Sequence, residues 1–353
     1  MRLNFPWLVL PFAILTGCGD TGTESEPEPP RVVVGASSAA LTAPAAASGA
    51  PVSVAVSNGG EGTISGLTAT IVHAAGEPDG WLTATLSATS TPATLELAAS
   101  ALPLSGSYTA TVTVGSAVPS EGSADIEVTL TVEPRPLLYI VDQQNDVLRR
   151  LDPSTLEIDE VGALGYNMDF GDCSYDPDGR RLYATDGRGN LALYTVDLAT
   201  GAATQVGVHG VAEAFSLEYH PPSGVLFITD RTVPRTLYRL DKTTAVAAAV
   251  GEVGLRISAL AWDGQRQTLV GQTTNVGPAG AALYTIDLAS AVLTQVATSP
   301  SINNHGMTYD LGEDRIWAAD LSGRLVRFDP GNGYAATSVA TGLGQNVCIA
   351  YVP

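Results

Sequence analysis

Five times between residues 138 and 351 the chain returns to the same three marks, and no other feature constrains its fold as strongly. An aromatic residue sits in a first apolar run at Tyr175, Tyr219, Trp262, Tyr309 and Tyr351. A second run opens at Leu138, Leu182, Leu226, Leu269 and Ile316, and a third ends at Asp152, Asp197, Asp241, Asp287 and Asp329. Each ladder advances by 42 to 47 residues, a period that means repetition of one supersecondary unit. The stretch from Cys173 to Asp197 shows that unit, with Asp176-Pro177-Asp178-Gly179 between its first two runs and a Gly/Asn loop before Leu193. Apolar alternation suits a pleat and Asp-Pro-Asp-Gly suits a tight turn, so the runs read as antiparallel strands.

Each unit divides into four strands of about 11 residues including the turn, which matches the blade of a β-propeller. With the strands lettered A to D outward from the axis, the second blade has Tyr175 in A, Leu182 to Asp186 as B, Leu193 to Asp197 as C and about Ala203 to Val208 as D. The region starts at a B strand, Leu138 to Asp142, and ends at an A strand, Ile349 to Val352; together these make one blade. The expectation is a five-bladed β-propeller over residues 137–353, closed by the C-terminal strand, with no free sheet edge at the seam. The Tyr-Asp-Pro turn and the Leu-Tyr-x-x-Asp strand resemble the broad group of bacterial extracellular propellers that includes NHL-like and SMP-30-like proteins. That resemblance implies shape only, because those relatives differ in blade number and function.

Upstream, residues 31–133 alternate apolar and small polar side chains in segments such as Pro51 to Ser57, Leu67 to Val72, Trp81 to Leu86, Tyr108 to Val114 and Ile126 to Val132. About seven strands in that length fit an immunoglobulin-like sandwich, and with the 37 glycines and 22 prolines of the chain the whole profile is all-β. Gly80-Trp81-Leu82, Pro92 to Leu95 and Gly106 to Val112 resemble the BACON-like domains of exported bacterial proteins. The resemblance implies a carbohydrate-binding role; no row of exposed aromatics accompanies it here, and Trp81 is expected in the core, with the domain acting as a spacer. Residues 134–136 form a stiff connector, since Pro134 and Pro136 fix φ.

The N-terminus is expected to direct export. Residues 1–18 hold Arg2, an apolar run from Phe5 to Leu15 too short to span a bilayer, and then Leu15-Thr16-Gly17-Cys18. That tetrapeptide resembles the bacterial lipobox, which implies acylation of Cys18 and cleavage before it. Gly19 rather than an aspartate follows, so an outer-membrane or cell-surface location is expected, held by the acyl chains. Residues 19–30 are a disordered tether of Gly, Thr, Ser, Glu and Pro. A net charge of −19 with one lysine, Lys242, argues against nucleic-acid binding.

In propellers the D-to-A and B-to-C connections share one face, where ligands enter. The D-to-A segments carry Tyr166, Asn167, Asp169, Asp172, His209, Glu213, Arg256, Asn303, Asn304, His305, Gln345 and Asn346, a set suited to a ligand-binding funnel for an envelope glycan, peptide or protein. Asp142, Asp186, Asp230 and Asp320 end B strands on that face and read as hairpin caps in preference to a ring of metal ligands; Asp241 and Asp287 end C strands and read as turn caps. No nucleophile elbow, His-Glu-x-x-His, phosphate-binding loop or Cys-x-x-Cys is present. Two hydrolase alternatives remain: a glycosidase pair, Asp169 and Glu213, or a lactonase-like calcium site of Asp169, Glu213, Asn304 and Asn346. A purely structural envelope protein is a third reading, and no cofactor beyond calcium is suggested. Cys173 and Cys348 fall on neighbouring A strands, where an exported chain permits a disulfide; their offsets from Tyr175 and Tyr351 differ by one, so two buried thiols remain the alternative.

Overall fold

Alternation of apolar and polar residues produces half-buried strands between Val32 and Glu133, as in Ala93–Ala99, where alternate side chains are buried. The computed structural model describes residues 26–274, 280–300, 304–340, 344 and 346–353. Residues 1–25 with Cys18, as well as Asn303 and Gln345, lie outside them, and for Asn304, His305 and Asn346 the strand path alone is described. The protein is all-β, built from four-stranded sheets.

Eight strands make the first two sheets, one more than the sequence pattern suggests. Val32–Val34, Val52–Asn58, Ala93–Ala99 and Leu82–Leu86 form one, in that spatial order; Ser38–Pro44, Ser123–Glu133, Gly106–Gly115 and Thr68–His73 form the other. Ser38–Pro44 runs parallel to Ser123–Glu133, with Ser38 opposite Glu127. Both sheets contribute to a single core around Ile64, Trp81, Leu95, Leu97, Ile126 and Leu130. Trp81 is fully buried with its ring edge-on to His73, so it packs the core and offers no sugar platform.

From Leu137 onward the pattern changes. Leu137–Asp142, Ala214–His220 and Ile257–Asp263 are buried at every position, because both faces of these sheets are covered by neighbours. Sheet one joins strand A, Asn346–Val352, to B, Leu137–Asp142, C, Val147–Leu151, and D, Ile158–Ala163. Sheet two is A, Cys173–Asp176, B, Arg181–Thr185, C, Ala192–Val196, and D, Ala203–Val208; sheet three is Ala214–His220, Val225–Asp230, Thr236–Leu240 and Ala247–Glu252. Sheet four is Ile257–Asp263, Thr268–Thr273, Ala282–Ile286 and Leu293–Thr298; sheet five is Asn304–Asp310, Arg315–Asp320, Leu325–Asp329 and Ala335–Ala340. In sheet one Tyr351 lies opposite Leu138 and Ala350 opposite Tyr139. Each A strand packs against that of the following sheet, and the A strand of sheet two also packs against that of sheet one.

Cys173 and Cys348 are bonded, with Cα atoms 5.2 Å apart and 175 residues between them in sequence. The one-residue difference in their offsets is what lets them meet. It places the thiols on opposite faces of equivalent strands, and adjacent sheets present opposite faces to each other. Arg180 ties sheet two to the first two sheets, donating to the Ser105 carbonyl at 2.6 Å and to the Tyr108 hydroxyl at 2.9 Å.

Much of the acid content is turn chemistry. Asp142, Asp186, Asp230 and Asp320 accept backbone N–H groups in the B-to-C connections, from Gln144, Gly189, Thr236 and Ser322 respectively, at 2.8 to 3.0 Å. Asp197, Asp241 and Asp287 do the same for C-to-D turns, accepting from Thr200, Thr244 and Ser290 at 2.7 to 2.8 Å. Hydrogen bonds from Thr243, first through its hydroxyl, hold the Asp241 carboxyl down to about 2.

Candidate functional site

At the end of the sheets formed by D-to-A and B-to-C connections, several of the polar residues singled out from sequence are engaged by neighbouring backbone amides, rings or charges. Tyr166 stacks on Tyr194 with ring centroids 4.0 Å apart, and burial pushes its hydroxyl far up. Asp172 is fully buried; it accepts from the Cys173 and Leu217 amides at 2.8 and 3.1 Å, joining the A strands of sheets two and three. Glu213 forms a two-pronged pair with Arg188 at 2.8 and 3.2 Å, and Arg188 also feels the charge of Asp169. The Arg188 guanidinium lies 4.1 Å from the Phe170 ring, and Arg231 sits 4.1 Å from that of Phe215. His209 is buried, accepts from the Val211 amide through Nδ1 and is pushed down to about 4 by burial, which leaves it neutral. Asn167 is exposed and Arg256 is half-buried.

For the calcium set, Glu213 is committed to Arg188 and the Asn304 and Asn346 side chains lie outside the description. Among the described residues no three His, Cys, Asp or Glu side chains lie close enough together to hold a metal ion.

The opposite end, made by short A-to-B and C-to-D turns, holds a pocket of about 730 Å³ where the A strands converge. All five ladder aromatics line it: Tyr175, Tyr219, Trp262, Tyr309 and Tyr351. Two residues beyond each lies a collar of Pro177, Pro221, Gly264, Leu311 and Pro353, which lines the same pocket. Pro177, Pro221, Gly264 and Leu311 lie just past the strand ends Asp176, His220, Asp263 and Asp310, in the A-to-B turns, so the repeat brings one tier of positions from the strands and a second from the turns to the same pocket. Leu311 is 60% exposed, an apolar side chain held at the mouth.

In three of the five sheets the residue before the aromatic ties the next sheet in place. Ser174 Oγ accepts from the Tyr219 amide at 2.9 Å, Glu218 Oε1 from the Trp262 amide at 2.8 Å, and Thr308 Oγ1 from the Tyr351 amide at 2.9 Å. Ala261 and Ala350 occupy the corresponding places in sheets four and one and make no such tie. Glu218 Oε2 also accepts from the Ser174 hydroxyl at 2.8 Å. Burial raises the Glu218 carboxyl to about 8 despite these two donors, so it is largely neutral near pH 7. In the sequence these aromatics mark the period, and nothing adjacent to them connects them with a site. The missed signal was the Pro/Gly/Leu position recurring two residues after each.

A further hollow of about 710 Å³ runs along sheet four beside Asp287, but no aromatic other than Trp262 reaches it.

No family model and no curated protein matches the chain. Among solved structures it is similar to a structural genomics protein of unknown function from Bacteroides thetaiotaomicron, at 14% identity over 92% of this chain and 93% of that one, with a TM-score of 0.42. It is also similar to a DUF4784 family protein from Bacteroides caccae, at 11% identity over 91% and 98%, TM-score 0.40, and to an auxiliary nutrient binding protein from Bacteroides thetaiotaomicron, at 12% identity over 92% of each, TM-score 0.38. Each is a distant likeness in chain trace.

Proposed function

We propose that this chain is an exported bacterial lipoprotein, acylated on Cys18, in which an immunoglobulin-like spacer carries a five-bladed β-propeller that binds a ligand without chemical change. The propeller reading is supported by five four-stranded sheets, by one of them drawing strands from residues 137 and 346 onward, and by A strands that touch in sequence and return to the first. Export is supported by the leader and Leu15-Thr16-Gly17-Cys18, and by a disulfide of the kind an oxidising compartment sustains. Outer-membrane or cell-surface attachment follows from Gly19, with an envelope glycan, peptide or protein as the partner class.

The observation that carries ligand binding is the convergence of every repeat's aromatic on one concave pocket. Glu218 is the sole carboxylate side chain among the described residues lining it. Glycoside hydrolysis needs two carboxylates across the scissile bond, so the pocket favours capture over cleavage.

Calorimetric titration with envelope oligosaccharides and peptides tests the reading, using Gly264→Leu as the blocking variant. A Cβ at Gly264 meets only Leu311 Cδ1 at 3.5 Å and Tyr309 Cε1 at 3.8 Å, so a side chain fits there and projects into the mouth. Binding that Gly264→Leu abolishes is the expected result; binding that it leaves intact moves the site elsewhere. Cys18→Ser is expected to release the protein from membranes, and continued attachment would exclude the lipid anchor.

A further inference from the structure

We infer that the central pocket takes an organic cation, an ammonium group carried on an apolar body, with Glu218 as counter-ion and the ladder aromatics as its cage. This rests on reading the pocket as the binding site and names the class of ligand.

Charge comes first. Every described side chain lining the pocket other than Glu218 is neutral, and Glu218 is only 7% exposed at the wall. The cations near the mouth are already paired, Lys242 with Asp176 and Arg266 with Asp263 and Asp314 at 3.0 and 2.7 Å. An anion would meet a buried carboxyl, and no Lys or Arg is among the described residues lining the pocket. A net charge of −19 also draws cations toward the molecule.

Hydrogen bonding separates a cation from a neutral sugar. A sugar needs several polar partners on the wall, yet the Ser174 hydroxyl is held between Glu218 and the Tyr219 amide and the Thr308 hydroxyl accepts from the Tyr351 amide. An ammonium needs instead an aromatic lining and one carboxyl that can ionise opposite it, and both are present. The Tyr219 ring already serves an ammonium: Lys242 Nζ lies 4.9 Å from its centroid. The volume of about 730 Å³ exceeds what a bare ammonium fills, which calls for an apolar body beneath the collar.

Proton linkage supplies a second readout. Burial raises the Glu218 carboxyl to about 8, and a bound cation stabilises the ionised form, so binding displaces a proton and affinity rises with pH through that range. The groups facing Glu218 are Asp172 and Ser174 from sheet two and the Trp262 amide from sheet four; Asp172 is itself pushed up by burial.

The test is calorimetric titration of the intact protein with benzyltrimethylammonium and with neopentylbenzene, its uncharged isostere, at pH 6 and pH 9. At pH 9 the cation is expected to bind at least about tenfold tighter than the isostere, the scale of a desolvated cation–π contact. The preference is expected to shrink at pH 6, and in Glu218→Gln to fall to the part the rings alone supply and to lose its pH dependence. That variant keeps both local bonds, its carbonyl accepting from Trp262 and its amide donating to Ser174 Oγ, and a melting curve confirms the fold. Equal binding of the two probes overturns the cation while leaving the pocket as a binding site. Binding of neither overturns it too, and the Gly264→Leu titrations then decide the pocket separately. Cation binding that survives Gly264→Leu places the probe elsewhere and overturns the assignment.

Discussion

At one end of the five sheets the connections are unequal and crowded with Asp, Asn, His and Arg; at the other the turns are short and nearly alike. The varied end looks like a site in sequence, yet Asp172, Glu213 and His209 are occupied with amides and Arg188 close by. Irregular loops carry backbone groups that no ladder satisfies, and their polar side chains do that work. At the uniform end Asp176, Asp263 and Asp310 cap three of the A-to-B turns, and side chains from equivalent positions of successive strands arrive at one place. Repetition, more than variety, built the concave surface.

Removing the disulfide puts that contrast under the greatest strain. Cys173→Ser with Cys348→Ser is expected to cost about 5 kcal/mol in the chain-entropy model, read as a fall in the urea midpoint; a double variant as stable as the parent would show that noncovalent packing alone holds the seam. Asp172→Ala strands two buried amides and is expected to cost about 1–3 kcal/mol, read as a fall in the urea midpoint. An unchanged midpoint would show that those amides find other partners.

Gly264→Leu is expected to abolish binding with the melting temperature unchanged, whereas Asn167→Ala at the varied end leaves both as they were. The opposite pattern would reverse the roles of the ends. Glu218 predicts a pH effect with a definite sign. Its folded value of about 8 exceeds its ordinary value of 4.5, so the folded state holds a proton that the unfolded state releases, and stability contributed by this group falls as pH rises from about 5 to 8. Glu218→Gln removes that slope, and an unaltered pH profile of melting would contradict the burial of the charge. The smallest effect is expected from Glu213→Ala, because the half-exposed pair with Arg188 contributes at most about 1 kcal/mol.

The period of the ladders made the five four-stranded sheets legible, with strand bounds in sheet two correct to within a residue, because turn residues and apolar alternation are local signals. Cap roles for Asp186, Asp241 and Asp287 were equally legible, each lying next to the amides it binds. The pocket was not. Its walls come from residues more than forty positions apart, and a tyrosine that seals two sheets looks the same in sequence as one that faces a cavity. Glu218 was hidden for a related reason: nothing adjacent in the chain reveals that its partners are Ser174 and Trp262, which are brought to it by the sheets on either side.

Pairing of Asn346–Val352 with Leu137–Asp142 has a consequence for the order of assembly. As a chain is synthesised or exported from its N-terminus, the strand at residue 137 emerges about two hundred residues before its partner and must wait with an apolar edge uncovered. The interval between those two arrivals is when the molecule is most exposed to aggregation, and a holding factor would act there. Once the late strand docks, thiol oxidation turns a waiting edge into a permanent seam.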